Sequence, residues 1–129
     1  MNRYSGLLAV VFLAALLALM ACGCSKSDDP NNRPPVISSL VADPDTFYSY
    51  QFTTVTVTAE DPDGDKLEYL WESTESWLTA MPSQGNAVQL TNCCPVEEVK
   101  SAEVIAIVRD GRGGEARDSV TVCACPAVR

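Results

Sequence analysis

The stretch Phe52 to Glu60, FTTVTVTAE, alternates without a break: Val55, Val57 and Ala59 fall on one side of an extended chain, and Thr54, Thr56 and Thr58 on the other. A period of two sets one face against a core and the other against water, and no helix presents that pattern as a single stripe. The same alternation returns in VISSLVA (36–42), in KLEYLWE (66–72), where Leu67, Tyr69 and Trp71 share a side, and in AVQLTN (87–92), where Val88 and Leu90 do. SAEVIAIVR (101–109) and ARDSVTVCA (116–124) complete the set, and the shorter apolar run at 77–81 reads as an irregular or edge strand. Gly, Pro and Asp cluster at the breaks, and no segment carries a helical stripe. About seven short strands in some 90 residues predict an all-β fold, an antiparallel β-sandwich. Its expected core is Val55, Val57, Leu67, Tyr69, Trp71, Val88, Leu90, Val104, Val108, Val120 and Val122, with Trp71 at the centre. At about 1.5–3 kcal/mol per large side chain buried, that set suffices for one domain.

The N-terminal end is of another kind. Leu7 to Ala21 carries no charge, and Arg3 is the only charge before it, which is the layout of a secretory signal peptide. At about 15 residues the run is short for a helix that must cross roughly 30 Å of hydrocarbon. Leu19-Met20-Ala21-Cys22 resembles the lipobox of bacterial lipoproteins. The resemblance implies cleavage after residue 21 and lipid on Cys22, an anchor of several acyl chains. Gly23 follows where lipoproteins retained in the inner membrane often carry Asp, so the outer membrane is the expected destination. Residues 22–35, rich in Ser, Asp, Asn and Pro, read as the lipidated cysteine and a flexible tether, 36–126 as the sandwich and 127–129 as a tail. Removing residues 1–21 takes away one basic residue and no acid, leaving a formal charge of −9. That sign excludes nucleic acid as a partner and disfavours direct docking on an anionic bilayer.

Four motifs in order, NRPPVISSLVADPDT, VTVTAEDPDGDKLEYLW, VIAIVRDGRGG and DSVTV, resemble a bacterial immunoglobulin-like domain of the broad polycystic-kidney-disease, fibronectin and cadherin-like group. The resemblance covers residues 33–122 and implies an immunoglobulin-like sandwich. It also implies that the loops after the second and sixth strands share one end. Domains of this group serve as spacers and sometimes as binders of protein or sugar.

Three constellations stand out as candidate sites. Asp61, Asp63 and Asp65 lie in EDPDGDKLEYLWESTE, a stretch with seven acids and one lysine. They are either calcium ligands, joined by Asp110 from the loop that shares their end, or acceptors for the backbone of a tight turn built on Pro62 and Gly64. The spacing is not that of an EF-hand, because Lys66 stands where that loop needs Gly. Cys93 and Cys94 follow the fifth strand, and Cys123 and Cys125 end the last. Disulfides between the two pairs are the leading reading after export, with a metal site or thiol chemistry as alternatives; the pairing is not legible, and Cys24 is left odd. Finally, if Val104, Ala106 and Val108 point inward, Ile105 and Ile107 point outward beside Leu70. They form either a docking face for an envelope protein or a second copy, or a surface covered by the Trp77–Pro82 segment.

With no histidine in 129 residues, serine and cysteine triads are excluded, and no phosphate-binding glycine loop occurs. The sequence therefore predicts a non-catalytic, lipid-anchored envelope protein, a protein-binding or structural module rather than an enzyme. The alternatives are a calcium-dependent adhesion or carbohydrate-contacting module and a small carboxylate-based hydrolase.

Overall fold

The computed structural model describes residues 29–82, 85–92 and 94–127. The signal segment, Cys22 and Cys24 lie outside the described residues, as does Cys93. The chain forms eight strands: β1 (Val36–Asp43), β2 (Thr46–Tyr48), β3 (Phe52–Glu60), β4 (Glu68–Ser73), β5 (Thr79–Ala80), β6 (Ala87–Thr91), β7 (Lys100–Arg109) and β8 (Glu115–Cys125). They make two four-stranded sheets, β1-β3-β6-β5 and β2-β8-β7-β4.

The alternation carries through to burial. In β3, Thr53, Val55 and Val57 are buried and their neighbours are not. Val104, Ala106 and Val108 of β7 face them across the sandwich, with Val122 and Ala124 of β8. Two clusters make up the core, one around Phe47, Val88, Leu90, Val104 and Val122, the other around Val57, Ala106 and Val108. Trp71 packs against both, which gives it the central place its strand position predicts.

One strand escapes the pattern. Thr46–Tyr48 is too short to show a period, yet it pairs in parallel with Cys123–Cys125 and places Phe47 at 0% exposure in the larger cluster. The chain leaves the first sheet at Asp43, passes a cis Asp43–Pro44 bond and enters the second sheet at Thr46. The expected edge strand at 77–81 is β5, antiparallel to β6 on the first sheet, with Leu78 buried in the core behind it.

Register fixes what meets at each end. Val36 pairs with Glu60, and Glu68 pairs with Arg109, which pairs with Glu115, so the loops 61–67 and 110–114 share one end with the entering chain. Tyr48 with Cys125, and Phe52 with Thr91, mark the opposite end.

Phe47→Ala should cost about 3–5 kcal/mol, lowering the melting temperature by more than about 10 °C for a domain of this size. Val41→Ala, at an exposed position of β1, should stay within about 0.5 kcal/mol. Urea and thermal melts followed by circular dichroism check both.

Candidate functional site

The loop between β3 and β4 is a turn organised by one carboxylate. Asp61 Oδ1 accepts bonds from the backbone N–H of Asp63 at 2.8 Å and of Asp65 at 3.1 Å. The Gly64 N–H donates to the Asp61 carbonyl at 3.1 Å, with Gly64 at φ 77°, a conformation an L side chain resists. The three side chains are thereby turned to a common point: a ligand oxygen from each of Asp61, Asp63 and Asp65 lies within 4.8 Å of the others. Asp61 and Asp65 are half-buried and Asp63 is exposed.

The two inner carboxylates are only partly satisfied. Asp61 Oδ2 and Asp65 Oδ2 are buried atoms without a hydrogen-bond partner, and Asn32 Oδ1, at the same end, is a third. An unpaired buried oxygen costs free energy unless a donor or cation meets it. Two such oxygens within the carboxylate triad suit a hard divalent cation. The turn reading is realised on Asp61 Oδ1, and the three side chains are also grouped closely enough to hold a cation.

Two arginines lie against the cluster. Arg33 donates to Asp63 through its backbone N–H at 2.7 Å, Nε at 2.8 Å and Nη2 at 2.7 Å. These bonds, the backbone one foremost, hold the Asp63 carboxyl below its ordinary range. Arg112 Nε stands 3.3 Å from Asp65 Oδ1. Asn32 and Arg33 open the first motif and Arg112 lies in the third, but neither motif assigns them a role at the acidic turn; Asn32 and Arg33 also fall in the segment whose composition reads as a flexible tether, yet both are bonded to the domain.

Asp110, expected as a further ligand, is placed at this end but outside the cluster. Its Oδ1 accepts from the N–H groups of Arg112 at 2.7 Å and Gly114 at 2.9 Å, and its Oδ2 from Asn32 Nδ2 at 2.6 Å. The Asn32 bond is the chief cause that lowers its pKa. Asp110 thus builds the loop that carries Arg112 and has both oxygens engaged. Gly114 is needed there, because a Cβ would collide with the Asp110 carboxylate and the Pro34 backbone. Beside this loop lies a shallow depression of about 440 Å³ lined by Asp29, Asn32, Pro34, Arg112, Gly114 and Glu115. Glu115 is held ionised by Arg117 and Arg109, each 2.7 Å away.

The other expected sites fare differently. No disulfide joins Cys94, Cys123 and Cys125 to one another; Cys123 and Cys125 are free and half-buried. Val122 and Ala124 take the inward positions of β8, so the two sulfurs project from the outer side of its sheet, while Cys94 follows β6 on the other sheet. Leu70 is 40% exposed and Ile105 half-buried, but Ile107, although on the outward side, is only 2% exposed. Its register partners are Leu70 and Arg117, whose long side chains flank it within the sheet. The Trp77–Pro82 segment is not its cover, because β5 belongs to the opposite sheet. Of the expected face of Leu70, Ile105 and Ile107, Ile107 is thus corrected to a buried residue, while Leu70 remains exposed.

No family model matches the chain, and no curated protein does. Among solved structures it is similar to a nucleoside hydrolase-related hypothetical protein from Saccharophagus degradans that is associated with carbohydrate metabolism. The TM-score is 0.51 at 16% identity, over 73% of this chain and 26% of that one. The chain thus spans about a quarter of that protein's length, and the likeness is one of fold.

The expectation of a non-catalytic protein-binding or structural module is corrected by the acidic turn: Asp61, Asp63 and Asp65 form a cluster able to hold a metal ion, chemistry that a plain spacer does not require.

The depressed carboxyls of Asp110 and Glu115 give the acid response its sign. A carboxyl whose folded pKa lies below its unfolded value, about 3.9 for Asp and 4.3 for Glu, stabilises the fold above that value. The contribution is lost as pH falls through the folded pKa. The melting temperature should be insensitive to these groups from pH 7 to 5 and decline below about pH 4. Asn32→Ala should move the Asp110 carboxyl upward, read by carboxyl-carbon NMR titration.

Proposed function

We propose that this chain is an immunoglobulin-like module, anchored by lipid on Cys22 at the outer side of a bacterial envelope. Its acidic loop end binds a divalent cation and acts on carbohydrate by metal-assisted hydrolysis. The observation that carries the reading is the triad Asp61, Asp63 and Asp65, with ligand oxygens within 4.8 Å and two inner oxygens left without partners. All-oxygen, carboxylate-rich donors favour calcium over softer metals. The sheet order β1-β3-β6-β5 against β2-β8-β7-β4 supports the immunoglobulin-like class. The description of the similar solved structure, nucleoside hydrolase-related and associated with carbohydrate metabolism, supports a glycosidic bond as the target class.

A cation held here supplies Lewis-acid polarisation of an oxygen and a more acidic bound water. The chain's own groups do the rest. Asp61 and Asp65 offer their unpaired oxygens, and Asn32 Oδ1 offers a neutral one. Glu115, ionised at the rim of the depression, accepts bonds from sugar hydroxyls, and Arg112 donates to them.

Calorimetry and melting of the purified full-length protein, with calcium and with chelator, test the cation; release of reducing sugar from oligosaccharides and of ribose from nucleosides tests the reaction. With an affinity in the extracellular range of about 10⁻⁴–10⁻³ M, about 5 mM calcium should stabilise by about 1–2 kcal/mol, several degrees in melting temperature. Asp61→Asn and Asp65→Asn should abolish both the shift and the turnover. Identical melts in calcium and chelator overturn the site. A calcium shift without turnover overturns the hydrolytic role and leaves cation-dependent adhesion.

A further inference from the structure

At the end of the sandwich opposite the acidic turn, the chain passes from β2 to β3 through Tyr48-Ser49-Tyr50-Gln51-Phe52. Its three aromatic residues are 44%, 60% and 51% exposed. The turn is closed by the Gln51 N–H on the Tyr48 carbonyl at 2.9 Å, and Tyr50, at its third position, adopts φ 68°. A bulky residue rarely takes the left-handed conformation, and turns that need it normally use Gly or Asn. Strain of this kind persists only where the surroundings over-determine it, and here they do. The Tyr50 N–H donates to Oδ1 of Asn92, a side chain 1% exposed. Asn92 Nδ2 in turn donates to the Cys94 carbonyl at 2.8 Å and lies 3.5 Å from Ser49 Oγ. Ser49, 6% exposed, accepts from the Val96 N–H at 3.1 Å. A buried polar network thus fixes a strained turn whose apex, Tyr50, stands mostly in solvent.

We infer that this turn is a second binding site, for a neutral oligosaccharide, with Tyr50 as its stacking residue. Residues 46–57 contain no charged side chain, so the turn itself offers no ion pair to a ligand, the nearest carboxylates in sequence to its Val96 support being Glu97 and Glu98. A five-residue turn is far smaller than the roughly 800 Å² per partner of a stable protein interface, and it suits one or two sugar rings. Aromatic faces pack against the C–H face of a pyranose, while the tyrosine hydroxyls and Gln51 meet its hydroxyl rim. Because Tyr50 is fixed before the ligand arrives, little ordering entropy is spent on binding. The site does not depend on the cation.

Titration of the full-length protein with cellohexaose, laminarihexaose and chitohexaose, followed by calorimetry in chelator, tests it. At least one should bind, and Tyr50→Gly should weaken it at least tenfold while leaving the melting temperature unchanged or raised, because glycine adopts the same turn without strain. Tyr50→Phe should retain binding within about threefold, since the stacking face remains. Asp65→Asn should not alter it, which separates this site from the acidic turn. Failure of all three sugars, binding that survives Tyr50→Gly, or binding of phospholipid vesicles in place of sugar each overturns the inference.

Discussion

Burial of Phe47 is the interaction on which the rest of the architecture rests. Among the described residues Phe47 comes from the only strand placed in parallel, and it is buried in one cluster with residues of β3, β6, β7 and β8, where the two sheets meet. To bring it there the chain must change sheets between Asp43 and Thr46, and it must change back before Phe52. The second change forces a tight turn at 48–51 and leaves its aromatic residues in solvent. The first keeps β1 on the sheet where Val36 can pair with Glu60, which delivers the preceding Asn32 and Arg33 to the acidic loops. Both ends of the molecule inherit their geometry from one crossover.

Most of this was written in the alternation. Wherever five or more residues alternate, as in Phe52–Glu60 or Lys100–Arg109, the strand and its inward face follow from the letters alone. Thr46–Tyr48 was not legible, because three residues show no period and the pairing that makes them a strand lies more than 70 residues away. Ile107 marks a second boundary. Alternation states which way a side chain points, but its cover depends on Leu70 and Arg117, neighbours only in register. The acidic triad was legible as three aspartates in a turn. That Asp110 would be consumed by its own loop was not, because the choice turns on Asn32, a residue read as part of a tether.

Counterions decide the character of the acidic end. Three carboxylates converging within 4.8 Å repel one another, and the structure relieves this with Arg33 on Asp63 and Arg112 on Asp65. Both arginines are more than half exposed, so solvent screens these pairs and each is a modest, salt-sensitive contribution. They reach Asp63 Oδ1 and Asp65 Oδ1, while Asp61 Oδ2 and Asp65 Oδ2 are left unpaired.

That division has a consequence for affinity. A cation meeting Asp61 Oδ2 and Asp65 Oδ2 gains two carboxylates at once, but it must share the third with Arg33, which makes three bonds to Asp63, two from its guanidinium and one from its backbone N–H. Replacing Arg33 at Asp63 returns an arginine to water at little cost, since its side chain is 64% exposed, yet it also frees the backbone segment that Arg33 fixes. Ordering of residues 29–34 and cation binding are therefore opposed through Asp63. Competition of this kind lowers affinity without removing selectivity for a hard, oxygen-loving ion.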